Sequence, residues 1–349
     1  MKPKLLLIAS NSAHVVNYYY LIKDYFSDIL VISNSKISDT TVKCETLDFA
    51  LGKVSNHFST PKKIKEITLR FKPDVVHVHQ LNVYSYYTVR ALKKIKIPLL
   101  LTAWGSDVLL LPHSNRLMKK MVQYNIKHAD ALTADAQFVA EEIKSLVPSN
   151  TKNILVANFG IGIEPQIQEK ENIIYSNRLH KSLYRIDKVI DAFAKFSSTS
   201  AGKNWKLVVA GSGENTAELI TLKDKLQLGD KVQFVGWVNK EVNASWYAKA
   251  KIFVSIPESD ATAISLLEAM ACSCLPVLSD LPANKEWIND GENGLIVKNI
   301  DEDFFSRALQ ADLAKANEIN KKLIEEHGTK AVNRLKFISL YDKLLANKK

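Results

Sequence analysis

The stretch PESDATAISLLEAMACSCLPVLSD, Pro257 to Asp280, carries two acids eight positions apart, Asp260 and Glu268, with only Ala261, Thr262 and Ala263 between the first acid and the run ISLLEAMA. It follows KIFVSIP (251–257), an apolar run that reads as a strand. Residues 258–262 are therefore expected to form a loop at that strand's carboxyl end, the edge at which open α/β sheets bind ligands. A helix is predicted to begin near Thr262. Its first backbone N–H groups, from about Thr262 to Ser265, have no intrahelical acceptor, and with the positive end of the helix dipole they make a site for phosphate. Ala261 and Ala263 are small enough for a diphosphate to approach the backbone. Glu268, further along the helix, can accept the paired hydroxyls of a ribose, and Asp260 the hydroxyls of a second sugar. One reading of the stretch is a nucleotide-sugar site. The other is plain structure, with Asp260 an ordinary loop acid or cap and Glu268 an exposed helical glutamate.

The pattern of short apolar runs separated by helical segments extends over the whole chain. KLLLIAS (4–10), DILVISN (28–34), PDVVHVHQ (73–80), IPLLLTAWGSD (97–107), ADALTAD (129–135) and KNILVANFGIGIE (152–164) carry the first series. After the polar stretch EPQIQEKEN the pattern restarts with NIIYSNR (172–178), WKLVVAGSGE (205–214), KVQFVGWV (231–238), KIFVSIP, LPVLSD (275–280) and DGENGLIV (290–297). Between the first two of these, IDKVIDAFAKF (186–196) places its apolar residues at helical spacing. Apolar runs alternating with helices indicate a parallel sheet covered on both faces. The expected fold is α/β, with two doubly wound domains and a break near residues 164–172. Neither half has G-x-G-x-x-G after its first strand, which argues against a dinucleotide oxidoreductase. No repeat of 20–50 residues is visible.

At 349 residues, two domains are the natural expectation. No stretch of eighteen apolar residues appears, so no spanning helix is predicted. The start, MKPKLLLIASNSAH, is too short in its apolar part for a signal peptide and reads as a first buried strand. Three cysteines, Cys44, Cys272 and Cys274, cannot build a disulfide framework, and Cys-Ser-Cys without a matching His/Cys group nearby reads as small-residue packing, not a metal site. A cytoplasmic location fits. The net charge is +10, and the lysine clusters PKKIKE (61–66), LKKIKI (92–97) and RLMKKM (116–121) all lie in the first half. They are either solvated helix faces or a surface that attracts anionic phospholipid or phosphorylated substrate. No nucleic-acid motif accompanies the charge, so no nucleic-acid partner is expected.

SDATAISLLEAMACSCLPVLSDLPANKEWINDGENGLIV, residues 259–297, resembles the signature block of retaining glycosyltransferases of family 4, which have the GT-B fold. That block reads as an acid, seven residues and Glu with LEAMA, then Pro-Val, Ser-Asp, an acid at the position of Glu286, and Asp-Gly-x-Asn-Gly-Leu. Other blocks follow in the family's order. SNRLHKSLYRIDKVIDAF resembles the segment whose Arg and Lys bind the diphosphate, with Arg178 at the arginine. VVAGSGE resembles its glycine turn, with Gly211 and Gly213. VQFVGWV resembles the strand whose following loop, near Trp237 and Val238, meets the base. AWGSD resembles a segment that often reads His-Gly-Ser/Thr-Asp, and SNSAHVVNYY the first loop of one branch.

The resemblance implies two Rossmann-like domains facing across a cleft: an acceptor-binding domain over 1–165, a nucleotide-sugar-binding domain over 166–330, and a C-terminal helix over 331–349 that crosses back to the first. It implies donor contacts from Arg178, Tyr184, Arg185, Gly211, Gly213, Trp237, Val238, Asp260, Thr262, Ala263, Ile264, Ser265 and Glu268, with no metal and no cofactor. Catalytic roles would fall to Asp260, Arg178, His14 and Asp107, and acceptor contacts to His14, His79, Trp104 and Asp107. His77 and His79 lie two apart on one strand and share a face. One is expected to be satisfied in the core, and His79, nearer the strand's end, is the better candidate for the cleft. The tyrosines of NYYYLIKDYF are expected in core and interface.

The sequence also departs from the family. The first acid is Asp260, where the family usually has Glu. The diphosphate lysine aligns with Tyr184, so either Arg185 or Lys181 supplies its charge or the site carries less charge. The histidine of His-Gly-Ser-Asp is Trp104. Ala261 follows the first acid in place of glycine, and Ser273 stands where glycine is common. The partners expected are a nucleotide-diphosphate sugar and a glycan or lipid-linked acceptor, with peripheral contact to the inner face of an anionic membrane. Two other classes stay open: a nucleotide-sugar epimerase of the same fold, and a non-catalytic scaffold.

Overall fold

Runs of Leu, Ile and Val have no polar face to give to water, so they persist as strands where helices cover both sides of a parallel sheet. The chain builds two such sheets, in a computed structural model that describes residues 2–149, 152, 154–166 and 168–346. Parts of the expected strand at 152–164 and of the expected break at 164–172, and the last three residues of the expected C-terminal helix, lie outside the described residues. The chain divides into one unit of Met1–Phe159 with Lys330–Lys349 and a second of Gly160–Thr329. The division falls ahead of the expected 165/166 boundary because Ile161 N–H donates to the Gly328 carbonyl at 2.9 Å and Gly162 N–H to Glu268 at 3.1 Å.

The first unit holds β1 Lys4–Ile8, β2 Asp28–Ser33, β3 Cys44–Thr46, β4 Val75–His79, β5 Leu99–Thr102, β6 Ala131–Ala134 and β7 Ile154–Val156, in the order β3-β2-β1-β4-β5-β6-β7. The second holds β8 Glu171–Ser176, β9 Lys206–Ala210, β10 Val232–Gly236, β11 Ala250–Ser255, β12 Leu275–Ser279 and β13 Leu295–Val297, in the order β10-β9-β8-β11-β12-β13. The named strands pair in parallel in both sheets. Each sheet reverses its strand order beside its first strand, β1 against β4 and β8 against β11, and in doubly wound sheets the crevice outside the carboxyl ends at such a reversal is where ligands bind. Arg178 lies two residues past β8 and Asp260 five past β11.

Each sheet has its own core. In the second unit, Ile186, Val189, Ile190, Phe193 and Phe196 form the inner stripe of one helix and pack with Ile174, Leu207 and Ile252 of the sheet. In the first unit the last helix, Lys330–Ala346, buries Phe337 and Tyr341 among β1, β4 and the helix Ala13–Ile22. The Tyr341 hydroxyl lies 2.8 Å from Tyr18 Oη and 2.7 Å from His77 Nδ1, and His77 Nε2 lies 2.6 Å from Thr102 Oγ1. His77 is thus satisfied in the core. Of the tyrosine run, Tyr18 is buried, whereas Tyr20 is exposed and donates to Asp39 at 2.6 Å.

The helix of the opening stretch spans Ile264–Ala271 and is capped by Ala263, so it starts later than expected. Thr262 stays outside it, buried, with its hydroxyl 3.4 Å from Trp287 Nε1. The helix ends in a Schellman turn: Cys274 N–H donates to Ala269 O at 2.9 Å and Ser273 N–H to Met270 O at 3.1 Å. Ser273 occupies the left-handed position of that turn with φ 59°, a conformation that costs a residue with a Cβ about 1–2 kcal/mol. Ser273→Gly removes that cost and adds back part of it as unfolded-chain entropy. We expect a net stabilisation of about 0.5–1 kcal/mol, read as a rise in unfolding temperature; a fall would show that the Ser273 side chain holds the turn.

Candidate functional site

In the second unit the loops after β8 and β11 meet at Arg178. Its Nη2 donates to Asp260 Oδ2 at 2.5 Å and its Nη1 to Ser265 Oγ at 2.9 Å, and the Tyr184 ring lies 4.6 Å from the guanidinium carbon. The Arg178 and Asp260 side chains are 11% and 23% exposed, so the pair is far less screened than an ion pair on open surface. Arg178 Nε and Asn177 Oδ1 are buried and find no hydrogen-bond partner among the described residues. Buried polar groups are nearly always satisfied, so an unpartnered guanidinium N–H at a ligand-binding edge is a donor open to an anion. Next to it the amides of Ile264 and Ser265 begin a helix and have no intrahelical acceptor. The donor set fits a phosphate.

The glycines of VVAGSGE let the turn after β9 pack onto this segment. Gly211 has φ +109°, and a Cβ there would come 2.6 Å from Arg178 O; a Cβ on Gly213 would come 2.3 Å from His180 O. Gly211 N–H also donates to Gly236 O at 2.7 Å, which ties in the loop after β10. On that loop Trp237 is 73% exposed and Val238 packs onto the core. Tyr184 gives the guanidinium an aromatic face and adds no charge. Arg185, a candidate to supply the charge of the family's lysine, has its Nε 3.2 Å from Glu258 Oε1, and Lys181 is exposed.

Glu268 is 8% exposed, which overturns the reading of it as an exposed helical glutamate. Gly162 N–H donates to Oε1 at 3.1 Å and Asn243 Nδ2 to Oε2 at 3.3 Å. Asn243 Oδ1 accepts from Tyr175 Oη at 2.7 Å and from Asn177 Nδ2 at 3.0 Å. Tyr247 Oη accepts from Asn177 Nδ2 at 2.7 Å and donates to Ser265 O at 3.1 Å. Burial first, then the charge of Glu268, pushes both tyrosine hydroxyls up, so they remain protonated donors. Asn177, Asn243, Tyr175 and Tyr247 were not anticipated from the sequence. Tyr175 and Asn177 come from β8 and the residue just past it, and Asn243 and Tyr247 from one turn of the helix Lys240–Lys249, so no single stretch of sequence marks the group.

In the first unit, His14, His79 and Trp104 come together. The Trp104 ring lies 5.0 Å from that of His14 and 5.5 Å from that of His79. His14 is exposed. His79, expected at the open strand end, is instead fully buried, stacked on Phe159 at 5.5 Å, and its two nitrogens find no hydrogen-bond partner among the described residues. Burial, with the neighbouring His14 charge, lowers it to about 3, so the ring is neutral. Asp107 does not stand open as expected. Its Oδ2 accepts from Leu81 N–H at 2.5 Å and its Oδ1 from Trp104 N–H at 2.9 Å. The carboxylate pins the loops after β4 and β5 to each other, and burial raises it to about 6 against the pull of those N–H groups.

Among the described residues no three His, Cys, Asp or Glu side chains gather to hold a metal. Cys274 is buried, its thiol raised to about 12, mainly by burial, which fits packing.

Two family profiles match the chain: Glycosyl transferases group 1 over residues 162–328 and Glycosyl transferase 4-like over residues 4–136. Among curated relatives, the N-acetyl-alpha-D-glucosaminyl L-malate synthase of Bacillus anthracis is 25% identical over 67% of this chain and 64% of its own. The N-acetylgalactosamine-N,N'-diacetylbacillosaminyl-diphospho-undecaprenol 4-alpha-N-acetylgalactosaminyltransferase of Campylobacter jejuni is 28% identical over 48% of this chain and 44% of its own. The alignments therefore span less than two thirds of these relatives. Anabaena HepE, solved in complex with UDP-glucose, superposes with a TM-score of 0.80 at 13% identity, over 97% of this chain and 100% of that one, and shares the fold. On these matches and on its two parallel-sheet Rossmann-like domains, the chain belongs to the group 1, family 4-like glycosyltransferases of GT-B fold.

Proposed function

We propose that this glycosyltransferase moves a sugar from a nucleoside-diphosphate sugar to a hydroxyl of a glycan or lipid-linked acceptor, with retention of configuration. The observation that carries the proposal is the Arg178 Nε, unpartnered among the described residues, beside the first-turn amides of the helix Ile264–Ala271, one helical turn before a buried Glu268. The UDP-glucose bound by HepE and the undecaprenol-linked acceptor named for the Campylobacter enzyme support the two substrate classes.

In this reading Arg178 and the Ile264 and Ser265 amides hold the diphosphate, Gly211 and Gly213 give it a close backbone, Glu268 takes the ribose hydroxyls, and the loop of Trp237 and Val238 meets the base. Asp260 serves the transferred sugar. The bond from the anomeric carbon to the diphosphate oxygen breaks, and negative charge grows on the departing diphosphate, where fixed donors stabilise most. The acceptor oxygen bonds to the anomeric carbon from the same face, and its proton passes to the departing phosphate oxygen. No separate carboxylate base is needed, in contrast to the paired acids of glycoside hydrolases. His14 and Trp104 serve the acceptor and His79 backs them. Asp107 acts as a positioning residue, since its oxygens hold backbone.

Arg178→Ala should lower kcat/KM for a UDP- or GDP-sugar about 10²–10³-fold, or ~2.7–4 kcal/mol, with the circular dichroism of the wild type. Donor should be consumed only when acceptor is present. Unchanged kinetics would remove Arg178 from the mechanism, and turnover of donor alone would favour the epimerase.

We also propose contact with an anionic membrane through the first unit. The helices Asn56–Phe71, Val83–Leu92 and Arg116–His128 flank a groove of about 710 Å³ whose lining includes Arg90, Lys93, Lys120, Tyr86, Tyr124 and Leu117 and, among its described residues, no acid. Leu117 of that lining is 69% exposed, and Phe58, next in the chain to the lining residue His57, is 72% exposed. Cations around exposed apolar groups suit a phospholipid surface, where each Lys or Arg contributes about 1 kcal/mol. The protein should sediment with phosphatidylglycerol vesicles at low salt and be released by high salt; equal binding to phosphatidylcholine vesicles would contradict the role of charge.

A further inference from the structure

We infer that Asp260 is a built-in competitor for the anion site, and that it sets a preference for the intact nucleotide-sugar over the free nucleoside diphosphate. The inference rests on Arg178 being the diphosphate anchor. A guanidinium offers phosphate two paired-donor edges, Nε with Nη2 and Nη1 with Nη2, and Nη2 belongs to both. It is Nη2 that donates to Asp260 Oδ2, at 2.5 Å, while Nη1 donates to the neutral Ser265 hydroxyl at 2.9 Å and Nε is unpartnered among the described residues. The carboxylate is held in place from its other side, since Oδ1 accepts from Ala261 N–H at 3.1 Å. Nη2 carries one N–H on each edge, so a phosphate gripping the edge that Asp260 uses must dislodge it, and one gripping the other edge must settle directly beside the carboxylate.

The neighbours do not offset this. Tyr184 lies against the guanidinium and carries no positive charge, and Arg185 is paired with Glu258 at 3.2 Å. An incoming diphosphate thus meets an arginine already neutralised by a carboxylate, and like charges within a few ångströms repel strongly where water is scarce. The two ligands feel this differently. In a nucleotide-sugar the distal phosphate is esterified and has one ionisable oxygen fewer than in the free diphosphate, and its sugar brings hydroxyls that a displaced carboxylate can accept. The free diphosphate brings more charge and no such donors. Asp260 thereby penalises the product more than the donor, which favours product departure after transfer.

Calorimetric titration of wild type, Asp260→Asn and Asp260→Ala with UDP and UDP-glucose, and with GDP and GDP-mannose, tests this. Asn keeps the size of Asp and an acceptor for Ala261 N–H but loses the charge; Ala removes the competitor altogether. Both variants should bind the free diphosphate about tenfold more tightly than wild type, ~1.4 kcal/mol, while the sugar-linked form gains less or loses affinity. Binding of the diphosphate no tighter than wild type, or an equal gain for both ligands, would overturn the inference and leave the transferase reading standing. Failure of the wild-type protein to bind any of the four ligands would overturn both.

Discussion

The guanidinium of Arg178 at the carboxyl edge of the second sheet is the constraint on which the rest of that unit depends. A cation so little exposed needs partners, and the chain supplies them from three places: Asp260 from the loop after β11, Ser265 from the first turn of the next helix, and Tyr184 from the segment that follows Arg178 itself. Bringing these together requires close backbone approach, and Gly211 and Gly213 lack side chains where a Cβ would strike Arg178 O and His180 O. Removing one partner of a partly buried ion pair leaves the other charge uncompensated, which costs far more than the pair contributes as a whole. The site residues are thus also structural ones, and an anion that comes to the open Nε arrives beside a carboxylate that the guanidinium already holds.

Much of this was legible in the sequence because the signal is local. A parallel strand covered on both faces is largely apolar, and β1 (KLLLI), β5 (LLLT) and β11 (AKIFVS) announce themselves that way. β3, Cys44–Thr46, escaped because it is a three-residue edge strand, paired to β2 alone and only half-buried, and needs no apolar run. The start of the helix Ile264–Ala271 was misplaced because the side chain of Thr262, a good cap residue by type, is engaged by Trp287 from a distant segment. The acid spacing of Asp260 and Glu268 was readable; the burial of Glu268 was not, since it depends on Asn243 and the backbone of Gly162, far away in the chain. Asp107 misled for the opposite reason. A short loop with Gly-Ser-Asp after a strand looks like a binding loop, and its carboxylate is instead consumed by the N–H groups of Leu81 and Trp104.

The first unit shows how a family position can change residue without losing its surroundings. Trp104 replaces a histidine of the resembled pattern, and two other histidines, His14 and His79, lie against its ring. Among the described residues, the neutral ring of His79 and the buried Trp104 Nε1 find no hydrogen-bond partner at the carboxyl ends of β4 and β5, the edge where a doubly wound sheet takes ligands. Their setting is rigid: behind them Tyr18, His77, Thr102, Thr133 and Tyr341 form one hydrogen-bonded chain through the core.

The central claim is that Arg178 and the amide end of the helix Ile264–Ala271 jointly grip a diphosphate. A crystal structure of the protein soaked with uridine or guanosine diphosphate tests it most directly. We expect the distal phosphate within about 3 Å of Arg178 Nε and of the Ile264 or Ser265 amide, with the ribose hydroxyls on Glu268. A ligand bound elsewhere, or Arg178 still fully engaged with Asp260 beside an empty pocket at saturating nucleotide, would contradict it.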